Sequence, residues 1–416
     1  MIAHAVGGGA LPVPGWFVGY AGAAAVVLVA AVLRASWPTP RLSGPLADPA
    51  PRPPAPVRAG PAGRALGLAL LGGTLAAAVV GPDSSASNVA PLAVTVGWWA
   101  GLPLACLVLG DVFAALSPFD TLVAGFERLT GRRDRGATDG PAGPRWTATA
   151  SLFAFAWFWL AYHRPGSARA VAVLLVAYTA AAVAGGLRWG RDWLREGEGF
   201  AVLSSSMAAL GLRRRRARVP ATAGIVAVTW LGSTVFDAVS GTRWWLDVLG
   251  AHLGWARTLP NTVGLAWVTA LVAAAVLVAS KVADRVPGAG LGPSVPLLAR
   301  GVVPLAAGWF VAHDLTLVLF EGQNLLFLAS DPVGRGWDLF GTVAGGSLDY
   351  GIVEATWVRW AEIAALVAGH LGCVVVVHDA ALRATGRRRA ARVSAAATGL
   401  AVASFMAATW LVLGAR

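Results

Sequence analysis

Long apolar runs recur along the whole chain, and each has the length of a helix that crosses a lipid bilayer. Because lipid offers no water to bond the backbone, such runs must form helices. Hydrophobic residues make up 56% of the 416 residues, and charged residues make up 13%. An ordinary soluble protein has about 25% charged residues. The sequence therefore predicts an all-α, polytopic transmembrane helix bundle that forms a single transmembrane domain over residues 1–416.

Ten runs offer the roughly 20 residues that a spanning helix needs. They lie at about 15–37, 64–81, 91–116, 146–163, 167–187, 219–239, 260–281, 300–328, 352–382 and 393–413. Most of the 33 basic residues fall in alternate loops between these runs. Since basic loops stay in the cytoplasm, this asymmetry predicts that both termini lie outside.

Two of the predicted cytoplasmic loops have a distinctive composition. Residues 38–60 are rich in proline and predict an extended linker. Residues 188–218 include four consecutive arginines at 213–216 and predict a basic cytoplasmic loop. Such cations attract anionic head groups, so we expect membrane lipids, anionic at the inner face, as partners. The cations are not interleaved with aromatics on a polar surface, so we expect no nucleic-acid partner.

Polar side chains occur in the eighth run, in the segment GWFVAHDLTLVLFEGQN at 308–324. A helix turns about 100° per residue, which brings four of them onto one arc of about 100°. These four are His313, Asp314, Glu321 and Asn324. The ninth run repeats the pattern with four residues on an arc of about 80°. They are Arg359, Glu362, His370 and Cys373, with His378 further round the helix.

The depth of these residues predicts which of them meet. His313 and His370 each lie thirteen residues from an arginine at the predicted inner boundary, Arg300 or Arg383. Both histidines are therefore expected about 20 Å from that boundary, where antiparallel neighbours would bring them together. The acids Glu321 and Glu362 are expected nearer the outer side, with Asp237 of the sixth run at a similar depth.

Three interpretations of the polar stripes stay open, since a charged side chain at the bilayer centre costs at least about 2.5 kcal/mol. The first is a site for a proton or for a divalent or transition metal ion, which favours transport or binding of a cation or small solute. The second is a metal-assisted hydrolase, although no GxSxG, HExxH, Walker A or Rossmann motif is present. The third is a buried hydrogen-bond network. For the function of the whole chain, a structural membrane subunit of a larger complex also stays open. The expected metal ligands are His313, His370, Cys373, Glu321, Glu362 and Asp314, and the rest of the polar interior is Asp237, Arg359, Asn324 and His378.

Three segments resemble actinobacterial membrane proteins labelled fenitrothion hydrolase-like. They are FDAVSGTRWW (236–245), GQNLLFLASDPVGRGWDLFGT (322–342) and AGHLGCVVVVHDAAL (368–382). The resemblance covers most of the chain and is strongest from residue 228 to 382. It implies a multi-pass protein of the bacterial plasma (inner) membrane that cleaves an organophosphate triester. It carries no catalytic residues over to this chain.

Overall fold

The structure is a computed structural model that describes residues 14–43, 46, 60–131, 145–211, 219–284, 294–342 and 348–414. Within these ranges every regular element is helical. The α-helices are α1 (Gly15–Ser36), α2 (Pro61–Val80), α3 (Val89–Leu92), α4 (Leu102–Leu109), α5 (Val112–Leu116), α6 (Pro118–Thr130), α7 (Trp146–Leu160), α8 (Ala168–Trp189), α9 (Arg191–Gly197), α10 (Gly199–Leu210), α11 (Ala223–Ser240), α12 (Arg243–Leu249), α13 (Trp255–Ala283), α14 (Ser294–Ser330), α15 (Ala355–Ala384) and α16 (Arg387–Ala408). Two π-helical segments, Ala93–Gly101 and Thr409–Gly414, continue α3 and α16.

Nine helical stretches in the described ranges are long and apolar enough to cross a membrane. They are Gly15–Ser36, Pro61–Val80, Val89–Leu109, Ala168–Trp189, Ala223–Ser240, Trp255–Ala283, Ser294–Ser330, Ala355–Ala384 and Arg387–Leu411. Each coincides with a run predicted from the sequence, and α7, with 15 residues, lies at the remaining one. The prediction of an all-α bundle of about ten spans is therefore confirmed.

The surface of the helices agrees with a lipid environment. On α13, large apolar side chains recur every fourth residue on an exposed face: Trp255, Leu259, Val263, Trp267 and Leu271. An exposed apolar face of this length is typical of a helix that contacts lipid rather than water. The chain is an integral membrane protein by this criterion, and which side each terminus faces stays a prediction.

The described residues group into two compact units, and the single transmembrane domain over residues 1–416 stays a prediction. The first comprises the described parts of Met1–Arg52, Ala223–Thr316 and Gly351–Arg416. The second comprises those of Pro53–Thr222 and Leu317–Tyr350. The helix α14 contributes residues 294–316 to the first unit and 317–330 to the second. Hydropathy locates spans but does not reveal which spans pack together, so this division has no signal in the sequence.

Glycines set the contact between α14 and α15 in the first unit. A Cβ atom on Gly308 would lie 2.9 Å from the Cα atom of Gly369, and one on Gly372 would lie 3.0 Å from the side chain of Pro304. The two backbones therefore touch at this crossing. Because the helices run antiparallel, His313, five residues beyond Gly308, is level with Ala364, five residues before Gly369.

The second unit contains two helices where the sequence predicts a basic loop at 188–218. After Gly190, α9 turns back along α8, with the Trp193 ring against Gly185 and the Leu194 side chain against Gly186. The chain then enters α10, which packs between α4 and α7. The arginines at 213–216 lie outside the described residues. Of the predicted linker at 38–60, the structure describes residues 38–43, 46 and 60.

Candidate functional site

Asp237 of α11 and His313 of α14 form a buried pair in the first unit. The Nε2 atom of His313 lies 3.1 Å from the Oδ2 atom of Asp237. His313 is 4% exposed and Asp237 is 8% exposed, on two helices that are long and apolar enough to span the membrane. An ionised carboxylate only accepts hydrogen bonds, so the bonded Nε2 atom of His313 then carries a proton. The sequence predicts both residues in a polar interior but not as partners.

Aromatic packing holds the helices of this pair together. The rings of Trp230 on α11 and Phe310 on α14 pack against each other at an interplanar angle of 44°, with centroids 4.5 Å apart. Phe310 precedes His313 by three residues, so both side chains lie on the same face of α14. The hydroxyl groups of Ser233 and Thr234 donate to the carbonyl of Trp230 in their own helix. These two hydroxyls are therefore satisfied locally, and Asp237 is the residue of α11 that reaches His313.

A second buried ion pair lies on α15 at nearly the same level. The Nη1 atom of Arg359 donates to the Oε2 atom of Glu362 over 2.9 Å, and Glu362 is fully buried. His313 is level with Ala364, and Glu362 lies two residues from Ala364 on the same helix. His313 and Glu362 therefore differ in depth by about 3 Å. Asp314 is also buried and follows His313 directly.

Five residues thus lie within about two helical turns of one another along the bundle axis. We call them the polar layer: Asp237, His313, Asp314, Arg359 and Glu362. Three carboxyl groups share this layer with one guanidinium and one imidazole.

His370 lies apart from the polar layer, contrary to the depth expected from the sequence. Its Nδ1 atom is 2.6 Å from the carbonyl oxygen of Leu366, and its Nε2 atom is 3.1 Å from the Oγ atom of Ser404. The crossing of Gly308 and Gly369 places His370 about 9 Å from His313 along the helix axis. The expectation assumed that Arg300 and Arg383 lie at the same depth. In the structure, the register of α14 against α15 at the crossing of Gly308 and Gly369 places these two arginines at depths that differ by several residues.

Two further residues of the ninth run, Cys373 and His378, contact neighbouring helices. The Sγ atom of Cys373 would lie 3.0 Å from a Cβ atom on Gly301, so this thiol fills the contact between α14 and α15. The Nδ1 atom of His378 is 2.9 Å from Ser394 Oγ, and its Nε2 atom is 3.1 Å from the carbonyl oxygen of Trp37. His378 therefore joins α15 to α16 and to the end of α1.

Glu321 and Asn324 belong to the second unit, although they share a helix with His313. The Nδ2 atom of Asn324 donates to the Oε2 atom of Glu321 over 3.3 Å, and both residues are partly exposed. The single stripe predicted on α14 is thus divided between the two units.

No group of three or more His, Cys, Asp or Glu side chains among the described residues is arranged to hold a metal ion. The expected divalent or transition metal therefore stays a prediction. The sequence analysis also missed Ser404 and Trp309. The indole Nε1 atom of Trp309 donates to the Oγ atom of Ser404 over 2.9 Å, beside His370. Hydroxyl and indole groups are so common in membrane helices that no pattern singles these two out.

The fold and the buried polar layer define the class of this chain as a multi-pass, all-helical integral membrane protein. Comparison with protein-family models, with curated proteins and with solved structures gives no match. The resemblance to fenitrothion hydrolase-like proteins therefore stays a prediction from the sequence.

Proposed function

We propose that this protein binds a cation at the polar layer and carries it across the membrane, and that the cation is a proton. The observation that supports the proposal is the buried contact between Asp237 and His313. Imidazole is the side chain that ordinarily changes charge between about pH 5 and 8, so a histidine beside a carboxylate is suited to take up and release protons. Ionisable groups inside membrane spans commonly belong to ion or proton pathways.

The pair holds a proton without leaving an isolated charge in the bundle. Uptake of one proton by His313 produces an imidazolium next to the carboxylate of Asp237, and the two charges attract each other. Release of the proton returns the imidazole to its neutral form, which still donates to the carboxylate through Nε2. Because a buried charge without a partner is strongly unfavourable, both residues are needed for the cycle.

The test uses purified protein in lipid vesicles that contain a pH-sensitive dye. Under an imposed pH gradient, we expect wild-type protein to acidify or alkalinise the lumen and Asp237→Asn to lose that flux. Asp237→Glu keeps the carboxyl group and should retain part of the flux. Asp247→Asn, an exposed acid on α12, is the control that should behave as wild type. Wild-type flux in Asp237→Asn would overturn the proposal.

Metal analysis of the same preparation distinguishes the proton from a metal ion. The proposal predicts no stoichiometric transition metal and no turnover of a chromogenic phosphotriester. A bound metal that disappears in Asp237→Asn would replace the proton by a metal ion. Phosphotriester turnover that also disappears in this variant would favour metal-assisted hydrolysis over transport.

A further inference from the structure

The second unit contains a buried carboxyl group at the turn between α9 and α10. Glu198 is the single residue between the two helices and is 2% exposed. It lies against Tyr178, the eleventh residue of the 22-residue helix α8, which is long and apolar enough to span the membrane. Inside a membrane, the backbone polar groups of a non-helical residue must be hydrogen-bonded by protein or by a water-filled cavity.

Three donors hold the carboxyl group of Glu198. The Tyr178 hydroxyl and the backbone N–H of Phe200 donate to Oε1, the latter over 2.9 Å. The backbone N–H of Ala201 donates to Oε2 over 2.7 Å. Glu198 thus caps the N-terminus of α10, and Tyr178 adds a side-chain contact that an ordinary cap lacks.

Aromatic rings surround this contact. The ring of Phe200 packs on Phe155 with centroids 4.8 Å apart and on Trp98 at 5.6 Å. The ring of Tyr178 lies 5.7 Å from that of Phe119. Apolar surroundings disfavour a charged carboxylate, and this effect of burial opposes that of the three donors.

The charged groups near the turn are paired with one another. Arg191 forms a two-point ion pair with Asp120 of α6, with its Nε atom 2.8 Å from Oδ1. Two further pairs are Arg195 with Asp192 and Arg145 with Glu196. The remaining titratable groups on the helices packed around α10 are Cys106 and Asp111. Among the described residues, no arginine or lysine forms an ion pair with Glu198.

We propose that Glu198, held by the hydroxyl of Tyr178 at the turn between α9 and α10, is a second proton-binding site of this chain. A proton from water binds the carboxylate at Oε2 and forms a neutral carboxylic acid. The new hydroxyl group weakens the bond from Ala201 N–H, so proton binding loosens the first turn of α10. The site lies in the second unit and does not depend on the pair of Asp237 and His313.

Infrared difference spectroscopy of the purified, full-length protein tests this site. When the pH is raised beyond the range in which exposed glutamates ionise, we expect the difference spectrum of wild-type protein to contain the lost C=O band of the protonated Glu198 carboxyl group. Glu198→Gln should remove that band from the difference spectrum. The control Glu196→Gln, which changes an acid two residues away, should keep it. A band that persists in Glu198→Gln, or no band in wild-type protein, would overturn the proposal.

A milder variant keeps the test decisive if Glu198→Gln does not fold. Tyr178→Phe removes one donor to the ionised carboxylate and leaves the ring packing in place. We expect the band of Glu198 to shift in frequency and its midpoint to move to higher pH. An unchanged band and midpoint in a folded Tyr178→Phe protein would show that the carboxyl group observed is not the one bonded to Tyr178.

Discussion

At the scale of single residues, the structure separates two histidines that look equivalent in the sequence. His313 contacts a carboxylate on another helix, whereas His370 is bonded to a hydroxyl and to a carbonyl of its own helix. Helical spacing places each histidine on a polar stripe but does not reveal its partner. The partners are set by packing between helices, which in this case depends on glycine contacts and on the contact between two aromatic rings.

Ser404→Ala tests the structural role assigned to His370. The Oγ atom of Ser404 is bonded to His370 and to Trp309, which are both buried. Leaving a buried polar group without its partner costs about 1–3 kcal/mol, so we expect a clear loss of thermal stability in detergent. Proton flux per folded molecule should stay close to wild type. Ser36→Ala, which removes an exposed hydroxyl in the same unit, is the control and should unfold at the wild-type temperature.

The hydrogen bonds of Asp83, in the turn after α2, predict that stability depends on pH in the acid range. The Ser167 hydroxyl donates to Asp83 Oδ1 over 2.7 Å and the Arg169 N–H over 3.0 Å, and these bonds lower the pKa of Asp83. A lowered folded-state pKa adds stability that is present above the ordinary aspartate pKa and is lost as the pH falls through the folded value. We therefore expect Asp83→Asn to unfold at lower temperature near neutral pH and to lose less stability on acidification. Parallel curves of unfolding temperature against pH for both proteins would contradict this assignment.

At the scale of helices, small residues decide how α14 and α15 pack. A Cβ atom on Gly308 would lie 2.6 Å from the carbonyl oxygen of Ala365 and 2.9 Å from Gly369 Cα. Both neighbours are backbone atoms, which have little freedom to move aside. This contact also fixes the level of His313 relative to Glu362, so the polar layer depends on it.

Gly308→Ala should therefore destabilise the protein and reduce proton flux together. Gly399→Ala on α16 is a matched control, because a Cβ atom there meets nothing within 4 Å. Alanine favours a helix over glycine by about 1 kcal/mol, so the control should be neutral or slightly stabilising. Thermal unfolding in detergent and flux in vesicles measure the two effects. Equal behaviour of both variants would show that the crossing does not need glycine.

At the scale of the whole molecule, hydropathy predicts the spans well because lipid imposes the same requirement on each of them. Every span must be an apolar helix of about 20 residues whose backbone groups are bonded within the helix. Hydropathy does not locate α9 and α10, whose seven and twelve residues are too few for a span and lie beside a cluster of arginines in the sequence. The sequence accordingly predicts a loop there, and Glu198 passes unnoticed as one more charged residue. A buried carboxyl group in such a segment has no periodic signal, since its contacts come from α8 and from the start of α10.

The orientation of the chain is tested by labelling single cysteines in intact cells. Ala86 and Arg335 are exposed at predicted outer loops, and Arg387 is exposed at a predicted inner one. Cysteines at the first two positions should react with an impermeant thiol reagent, and a cysteine at Arg387 should not. The natural Cys106 and Cys373 are buried and should give no background. Reaction at Arg387 with protection at Ala86 would reverse the predicted orientation.

The central claim is that His313 carries the proton together with Asp237, whereas His370 is a structural residue. The most direct measurement compares proton flux for His313→Gln and His370→Gln in the same vesicles, at equal amounts of folded protein. We expect His313→Gln to lose at least about tenfold in flux, which corresponds to 1.4 kcal/mol or more, because the pair can then no longer take up a proton. His370→Gln should retain most of the flux, with a lower unfolding temperature. Loss of flux in His370→Gln with wild-type flux in His313→Gln would contradict the account.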